Sequence, residues 1–131
     1  MTGNYPEPES FLPLSQPVFH ILLALADDER HGYGIMQEVK TRTGGQVRLV
    51  PGTLYGAIKR LLSRQLIEAA EERVDPQLDD ERRRYYRLTD FGQRVLAAEV
   101  ERLASLLEQA QAKKLRPGMS ANLATLGGVS W

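Results

Sequence analysis

The chain has 131 residues, 42% of them apolar, and its 17 basic residues balance 17 acidic ones. This length suits one domain with an appendage, and the absence of cysteine excludes a disulfide framework, a thiolate zinc site and a cysteine nucleophile. The longest apolar stretch, residues 18–26, is interrupted by His20 and is far shorter than the roughly 20 residues of a membrane span. Because Glu7 and Glu9 stand where a secretion signal would carry basic residues, we expect a cytoplasmic protein without a membrane partner.

The first half of the chain predicts an arm followed by three helices. Residues 1–13 contain three prolines and predict a flexible arm. Ser15 predicts the N-cap of a first helix, and a second helix follows His31 and stops at Gly44-Gly45. A third helix begins at Pro51. Its apolar residues follow helical spacing and predict a buried face formed by Leu54, Ile58, Leu61 and Leu62.

The second half predicts a hairpin and a long helix. Residues 66–70 and 84–88 predict two strands joined by a polar, exposed tip. A final helix begins at Thr89 and reaches about Lys114, and a weakly ordered tail follows over residues 115–131. Along this helix a heptad seam predicts a dimer interface formed by Leu96, Val100, Leu103, Leu107 and Ala110.

These elements predict a mainly α (α+β) fold. Residues 14–88 would form a winged helix-turn-helix domain, in which three helices precede a two-stranded wing, and residues 89–114 a C-terminal dimerisation helix. That helix is longer than a winged domain can cover, so a second copy of the chain is the economical partner for its distal leucines. The alternative is that the seam packs on the core of its own chain.

Although the net charge is zero, the basic residues are segregated. A protein neutralises DNA phosphates locally, so the distribution of its basic residues matters more for DNA binding than its net charge. Residues 39–67 contain no acidic residue and six basic ones: Lys40, Arg42, Arg48, Lys59, Arg60 and Arg64. The predicted exposed face of the third helix carries Thr53, Tyr55, Gly56, Lys59, Arg60 and Ser63. Hydroxyl and cationic groups on a helix suit the bases and phosphates of a major groove. Alternatively, Lys59 and Arg60 are solvated surface and Tyr55 is partly core.

Gly56, the arginines before the return strand and the start of the second helix add to the prediction of a DNA-binding surface. Gly56 costs about 1 kcal/mol relative to alanine within a helix, which predicts close approach to another backbone. Arg82-Arg83-Arg84 precede the return strand, where a wing contacts phosphates; the alternative is ion pairing with Asp79, Asp80 and Glu81. The amides that start the second helix suit a phosphate, to which Tyr33 adds a hydroxyl; the alternative is that Tyr33 packs on the domain.

Three motifs, in this order and spacing, resemble the PadR family of transcriptional regulators. They are His31-Gly32-Tyr33-Gly34-Ile35, then Pro51-Gly52-Thr53-Leu54-Tyr55 with Lys59-Arg60-Leu61, then Arg84-Tyr85-Tyr86-Arg87-Leu88-Thr89 with Gly92. The resemblance covers roughly residues 14–114, and the single final helix is similar to the short-tailed subgroup. It implies a winged-helix domain, a homodimer joined largely by the last helix and, in most members, repression of a nearby promoter. It also implies a set of DNA-facing residues, namely Tyr33, Thr53, Tyr55 and Lys59, with Arg83 and Arg84 in the wing.

Two residues depart from the family pattern. Gln65 stands where the family usually has glycine before the first wing strand, so a non-glycine residue is expected in a left-handed turn at modest strain. Gly56 follows Tyr55 where proline is common.

The predicted function is therefore regulation of transcription, by a homodimer on double-stranded DNA with an inverted-repeat operator. Enzymatic activity is not expected, and neither a metal nor a cofactor is predicted, because His20 and His31 lack ligand partners at helical spacing and no phosphate loop is present. One alternative is a protein-interaction module, which the neutral charge and acid-rich wing favour. Another is a repressor that senses a small-molecule effector in a pocket at the dimer interface, lined by Phe11, Phe19 and leucines of the last helix.

Overall fold

The structure is a computed structural model that describes residues 6–75, 77 and 82–120. After a turn of 3-10 helix, Pro8–Phe11, the elements are α1 (Gln16–Ala24), β1 (Arg30–His31), α2 (Gly32–Arg42), α3 (Pro51–Ser63), β2 (Ile67–Val74), β3 (Arg82–Leu88) and α4 (Asp90–Ala112). The predicted mainly α, winged-helix fold is confirmed. The chain divides into two compact units, Met1–Glu99 and Val100–Trp131, and the boundary falls within α4.

Three of the helices begin at a side chain that accepts a backbone amide. Ser15 Oγ accepts the Val18 N–H at 3.4 Å, His31 Nδ1 the Gly34 N–H at 3.0 Å, and Thr89 Oγ1 the Gly92 N–H at 2.9 Å. Such caps satisfy donors that have no partner within the helix. The starts predicted at Ser15 and Thr89 are thereby confirmed.

The core of the first unit lies between α1, α2, α3, the start of β2 and the first turns of α4. Its fully enclosed side chains include Ile21, Leu22, Ile35, Val39, Leu54, Ala57, Leu66, Ile67 and Val95. Burying a leucine or isoleucine side chain stabilises a fold by about 1.5–3 kcal/mol. On α3 the predicted Leu54, Ile58 and Leu61 are buried, whereas Leu62 is only half-buried. Ala57, which the prediction left out, completes this face of α3.

The sheet has three strands instead of the predicted two. β3 lies in the middle and pairs antiparallel with both β1 and β2. The two long strands also continue further than predicted, β2 to Val74 and β3 from Arg82, so the polar segment between them is shorter. The proposed pairing partners Asp79, Asp80 and Glu81 lie outside the described residues.

Gln65, which lies between α3 and β2, and Gly92, near the start of α4, lie where α3, the sheet and α4 meet. Gln65 has φ 65°, so the predicted left-handed turn is confirmed. At Gly92 a Cβ would overlap the backbone carbonyl of Leu66, and the same carbonyl accepts the Thr89 N–H at 3.1 Å. No backbone among the described residues approaches Gly56, where a Cβ would meet only the Arg60 guanidinium, at 3.7 Å; close approach to a backbone outside this chain stays a prediction.

The segment predicted as a loose arm packs on the domain through Phe11 and Leu12. The rings of Phe11 and Phe91 meet edge to face with centroids 5.6 Å apart, and the Leu14 N–H donates to the buried carboxylate of Glu99 at 3.1 Å. Of the predicted tail, residues 121–131 lie outside the described part of the chain. Within that part, no helix is long and apolar enough to cross a membrane.

Candidate nucleic-acid interface

Helix α3 separates an apolar face from a polar one. Leu54, Ala57 and Ile58 face the core, whereas Thr53, Tyr55, Lys59 and Arg60 are all exposed, Tyr55 by 49%. About half of the Tyr55 surface is covered by its own chain, which agrees with the alternative that Tyr55 is partly core, and the other half is free to contact a ligand. The exposed face offers hydroxyls and cations in the mixture that base edges and phosphates accept.

The start of α3 also presents backbone donors. Its N-cap is Val50, whose apolar side chain cannot accept a hydrogen bond, and Pro51 at the first position has no N–H. The amides of Gly52 and Thr53 belong to the first turn, where no carbonyl of the same helix reaches them. Together with the helix dipole, they favour an anionic group near Thr53.

A cleft of about 220 Å³ brings four of the predicted site residues together. We call it the tyrosine–arginine cleft, and its lining comprises His31, Gly32, Tyr33, Tyr55, Arg82, Arg83, Arg84 and Tyr86. The hydroxyl of Tyr55 lies so close to Gly32 that a Cβ at this glycine would overlap it. A glycine at the start of α2 thus leaves the space that this rotamer of Tyr55 occupies.

At the start of α2, Tyr33 is exposed and its hydroxyl accepts the Gln37 Nε2–H at 2.6 Å. The amide of Gly34 is occupied by His31, so this helix start offers fewer amides to a phosphate than the sequence suggested.

The hairpin of β2 and β3, which we call the wing, pairs its charges across the strands. Arg84 lies 3.2 Å from Glu72, and Arg87 lies 2.8 Å from Glu68. The hydrogen bond with Glu68 raises the pKa of Arg87 above its usual value. Exposed pairs of this kind stabilise a fold only weakly, so a phosphate can compete for Arg84.

The predicted site residues Thr53 and Lys59 do not line the tyrosine–arginine cleft, and Arg60 lies in a different groove. That groove, of about 200 Å³, is lined by Phe11, Pro13, Leu14, Ser15, Val18, Arg60, Leu61, Arg64 and Leu66. Phe11, one of the two phenylalanines of the predicted effector pocket, lines this groove, whereas Phe19 does not.

Residues 21–98, more than half of the chain, match the model of the transcriptional regulator PadR-like family. The chain belongs to this family. It is also 38% identical over 90 residues to the transcriptional regulator Rv3488 of Mycobacterium tuberculosis, a match that covers 69% of this chain and 78% of that protein.

Solved structures of PadR proteins show the same fold. A PadR family transcription regulator from Clostridium difficile R20291 is 26% identical, with a TM-score of 0.58 over 74% of this chain and 99% of that one. The structure of Bacillus subtilis PadR in complex with operator DNA is 23% identical, with a TM-score of 0.57 over 67% of this chain and 48% of that one.

Sequence reasoning on this PadR-like regulator missed two residues near the cleft. Tyr86 lines it, and burial raises the pKa of its phenol. Strand alternation could have identified Tyr86, because Arg82, Arg84 and Tyr86 share one face of β3. Asp75 lies 2.8 Å from His31, and nothing in the local sequence indicates that contact, because 44 positions separate the two residues.

The predicted dimer seam of this PadR-like chain divides at the unit boundary. Leu96 is 6% exposed and belongs to the core of its own chain. In the second unit Val100, Leu103 and Leu107 are 40–47% exposed, as is Leu106, which the seam did not include. Ala110 is half-buried. The accessible part of the seam therefore begins at Val100.

Proposed function

We propose that this PadR-like regulator binds double-stranded DNA sequence-specifically and acts in the cytoplasm as a repressor. Helix α3 would lie in the major groove, with Thr53 and Tyr55 towards the base edges and Lys59 and Arg60 towards bases or phosphates. The observation that carries the proposal is the division of α3 into a buried apolar face and an exposed face of hydroxyls and cations.

The tyrosine–arginine cleft supports a second set of contacts. Tyr33, Arg83 and Arg84 would hold the phosphate backbone beside the groove that α3 occupies, because phosphate contacts fix the register of a protein on its duplex. Bacillus subtilis PadR, which shares the fold, has been crystallised on operator DNA, and this supports the same class of ligand here.

The exposed apolar side chains of α4 support a homodimer. Val100, Leu103 and Leu107 follow heptad spacing, and pairing with a second copy would remove them from water. A two-fold dimer presents two α3 helices to successive major grooves, ~34 Å apart. The operator is therefore expected to be an inverted repeat.

Binding to the upstream DNA of its own gene, measured over a salt series, tests the proposal. A competent dimer should lose affinity steeply as salt rises, and Lys59→Ala should reduce the slope of log affinity against log salt by roughly 1 per half-site. Lys113→Ala is the matched control, since it removes an exposed lysine from the far part of the chain. Absence of DNA binding at low salt, or equal slopes for the two variants, would contradict the proposal.

A further inference from the structure

His31 is a buried polar residue whose two ring nitrogens both have partners. It is only 4% exposed. Nδ1 accepts the Gly34 N–H at 3.0 Å, and Nε2 lies 2.8 Å from Asp75 Oδ2. Because Nδ1 accepts, the proton of the neutral ring is on Nε2, and the ring donates this proton to the carboxylate.

Asp75 connects this imidazole to the end of β2. Its other oxygen, Oδ1, accepts the backbone N–H of Gln77 at 2.9 Å, and its side chain is 24% exposed. The hydrogen bonds from Gln77 and from His31 lower the pKa of Asp75. The side chain is therefore an ionised carboxylate at neutral pH, and both of its oxygens accept.

The ring of His31 also contacts the central strand of the sheet. It meets the Tyr85 ring edge to face, with centroids 5.1 Å apart, and His31 pairs with Tyr85 in the register of β1 and β3. One imidazole thus touches α2, the end of β2 and β3. Tyr33 follows it on α2, and Arg83 and Arg84 precede Tyr85 on β3.

Capping alone does not account for this arrangement. A serine would cap α2 with its one side-chain oxygen, without bringing a second polar heavy atom into the interior. A buried histidine needs a partner for its other nitrogen, and here the partner lies 44 positions away in the wing. The side chain that starts the helix is therefore also a link to the wing.

We propose that His31 and Asp75 form a positioning pair, which holds the wing against α2 and sets the distance between Tyr33 and the wing arginines. The inference rests on the proposed function, because the groups that the pair positions are those proposed to contact DNA. Neither residue of the pair needs to touch DNA itself.

Two substitutions of Asp75 separate hydrogen bonding from charge. Asp75→Ala removes both acceptor oxygens, whereas Asp75→Asn removes the same charge and keeps one of them. Loss of a negative charge beside DNA would by itself raise the affinity. We nevertheless expect Asp75→Ala to lower DNA affinity roughly 5–10-fold. The Asp75→Asn variant should bind DNA more tightly than the Asp75→Ala variant. Glu71→Ala, which removes an exposed carboxylate from β2, the strand that Asp75 follows, is the control for charge and should not lower affinity.

Measurements on the free protein test the pair without DNA. In the wild type, ¹⁵N NMR of the His31 ring should place the proton on Nε2. Amide hydrogen exchange at Gly34 and Tyr85 should be slowest in the wild type, faster in Asp75→Asn and fastest in Asp75→Ala. The pair is refuted if the two Asp75 variants behave alike, or if Asp75→Ala leaves this exchange unchanged. If the wild type fails to bind DNA, the proposed function falls, while exchange and NMR still decide whether the pair holds the wing.

Discussion

At Gly92, near the start of α4, one added methyl group would cause a steric clash. A Cβ there would overlap the carbonyl of Leu66, which is backbone held in place by Thr89. We expect Gly92→Ala to lower the free energy of unfolding by about 3 kcal/mol, as measured by urea denaturation. Gly32→Ala is the comparison, because the added methyl would meet the far end of Tyr55, a side chain that can move. It should cost clearly less stability; equal losses would contradict this account.

Gln65 carries backbone strain that another residue would relieve. Its φ of 65° lies in the left-handed region, which costs a residue with a Cβ about 1–2 kcal/mol relative to glycine. Glycine also pays more entropy on folding, so Gln65→Gly should raise the free energy of unfolding by roughly 0.5–1 kcal/mol. The exposed Gln46 outside this region is the control, and Gln46→Gly should not stabilise the protein. A loss of stability in Gln65→Gly would show that its side chain contributes more than its backbone costs.

At the scale of elements, the helices were predictable because each buries a stripe of regular period and most begin at a polar cap. Strand β1 was not, since two residues are too few to show alternation, and it exists because β3 offers a free edge far along the chain. The extent of the wing was underestimated because its charged residues resemble a loop. In the structure, cross-strand pairs such as Glu72 with Arg84 extend the ladder.

The polar face of α3 was predictable from the sequence, but the grouping of its residues with α2 and the wing was not. The polar face of α3 follows from the position of its apolar residues, which is local information. That Tyr55 meets Gly32 and shares a cleft with Arg83 depends on how α3, α2 and the wing pack. Such long-range contacts leave no periodic trace in a single sequence.

The ion pair of Glu72 with Arg84 should limit how strongly the wing binds DNA. The two side chains lie 3.2 Å apart, and both are about half exposed. Glu72→Gln would release Arg84 for a phosphate, so DNA affinity at low salt should rise about 3–10-fold and depend more steeply on salt. Glu71→Gln removes the same charge from the neighbouring position, where no ion pair with Arg84 is described. If both variants raise the affinity equally, local charge accounts for the effect and release of Arg84 does not.

For the whole molecule, zero net charge does not oppose binding to a polyanion. Several acidic residues pair with arginines of the sheet: Glu29 lies 2.6 Å from Arg73, and Glu68 lies 2.8 Å from Arg87. The segment that holds α3 contains no acidic residue at all. Basic residues therefore predominate along the segment of α3 although the net charge is zero, and local charge distribution of this kind governs association with DNA.

The proposed homodimer would depend on the exposed leucines of α4. Leu103 occupies a seam position and is 40% exposed, and a two-fold dimer repeats any change made there on both chains. Leu103→Glu would remove two apolar contacts and place two carboxylates at the interface. We expect the dimer to weaken roughly 100-fold or more, with a monomer in sedimentation velocity and a parallel loss of DNA affinity. Ser105→Glu adds the same charge on the opposite side of the heptad and should leave the dimer intact. Should Leu103→Glu sediment as the wild type does, the interface would lie elsewhere, and the spacing of the operator half-sites would have to be derived from a different symmetry axis.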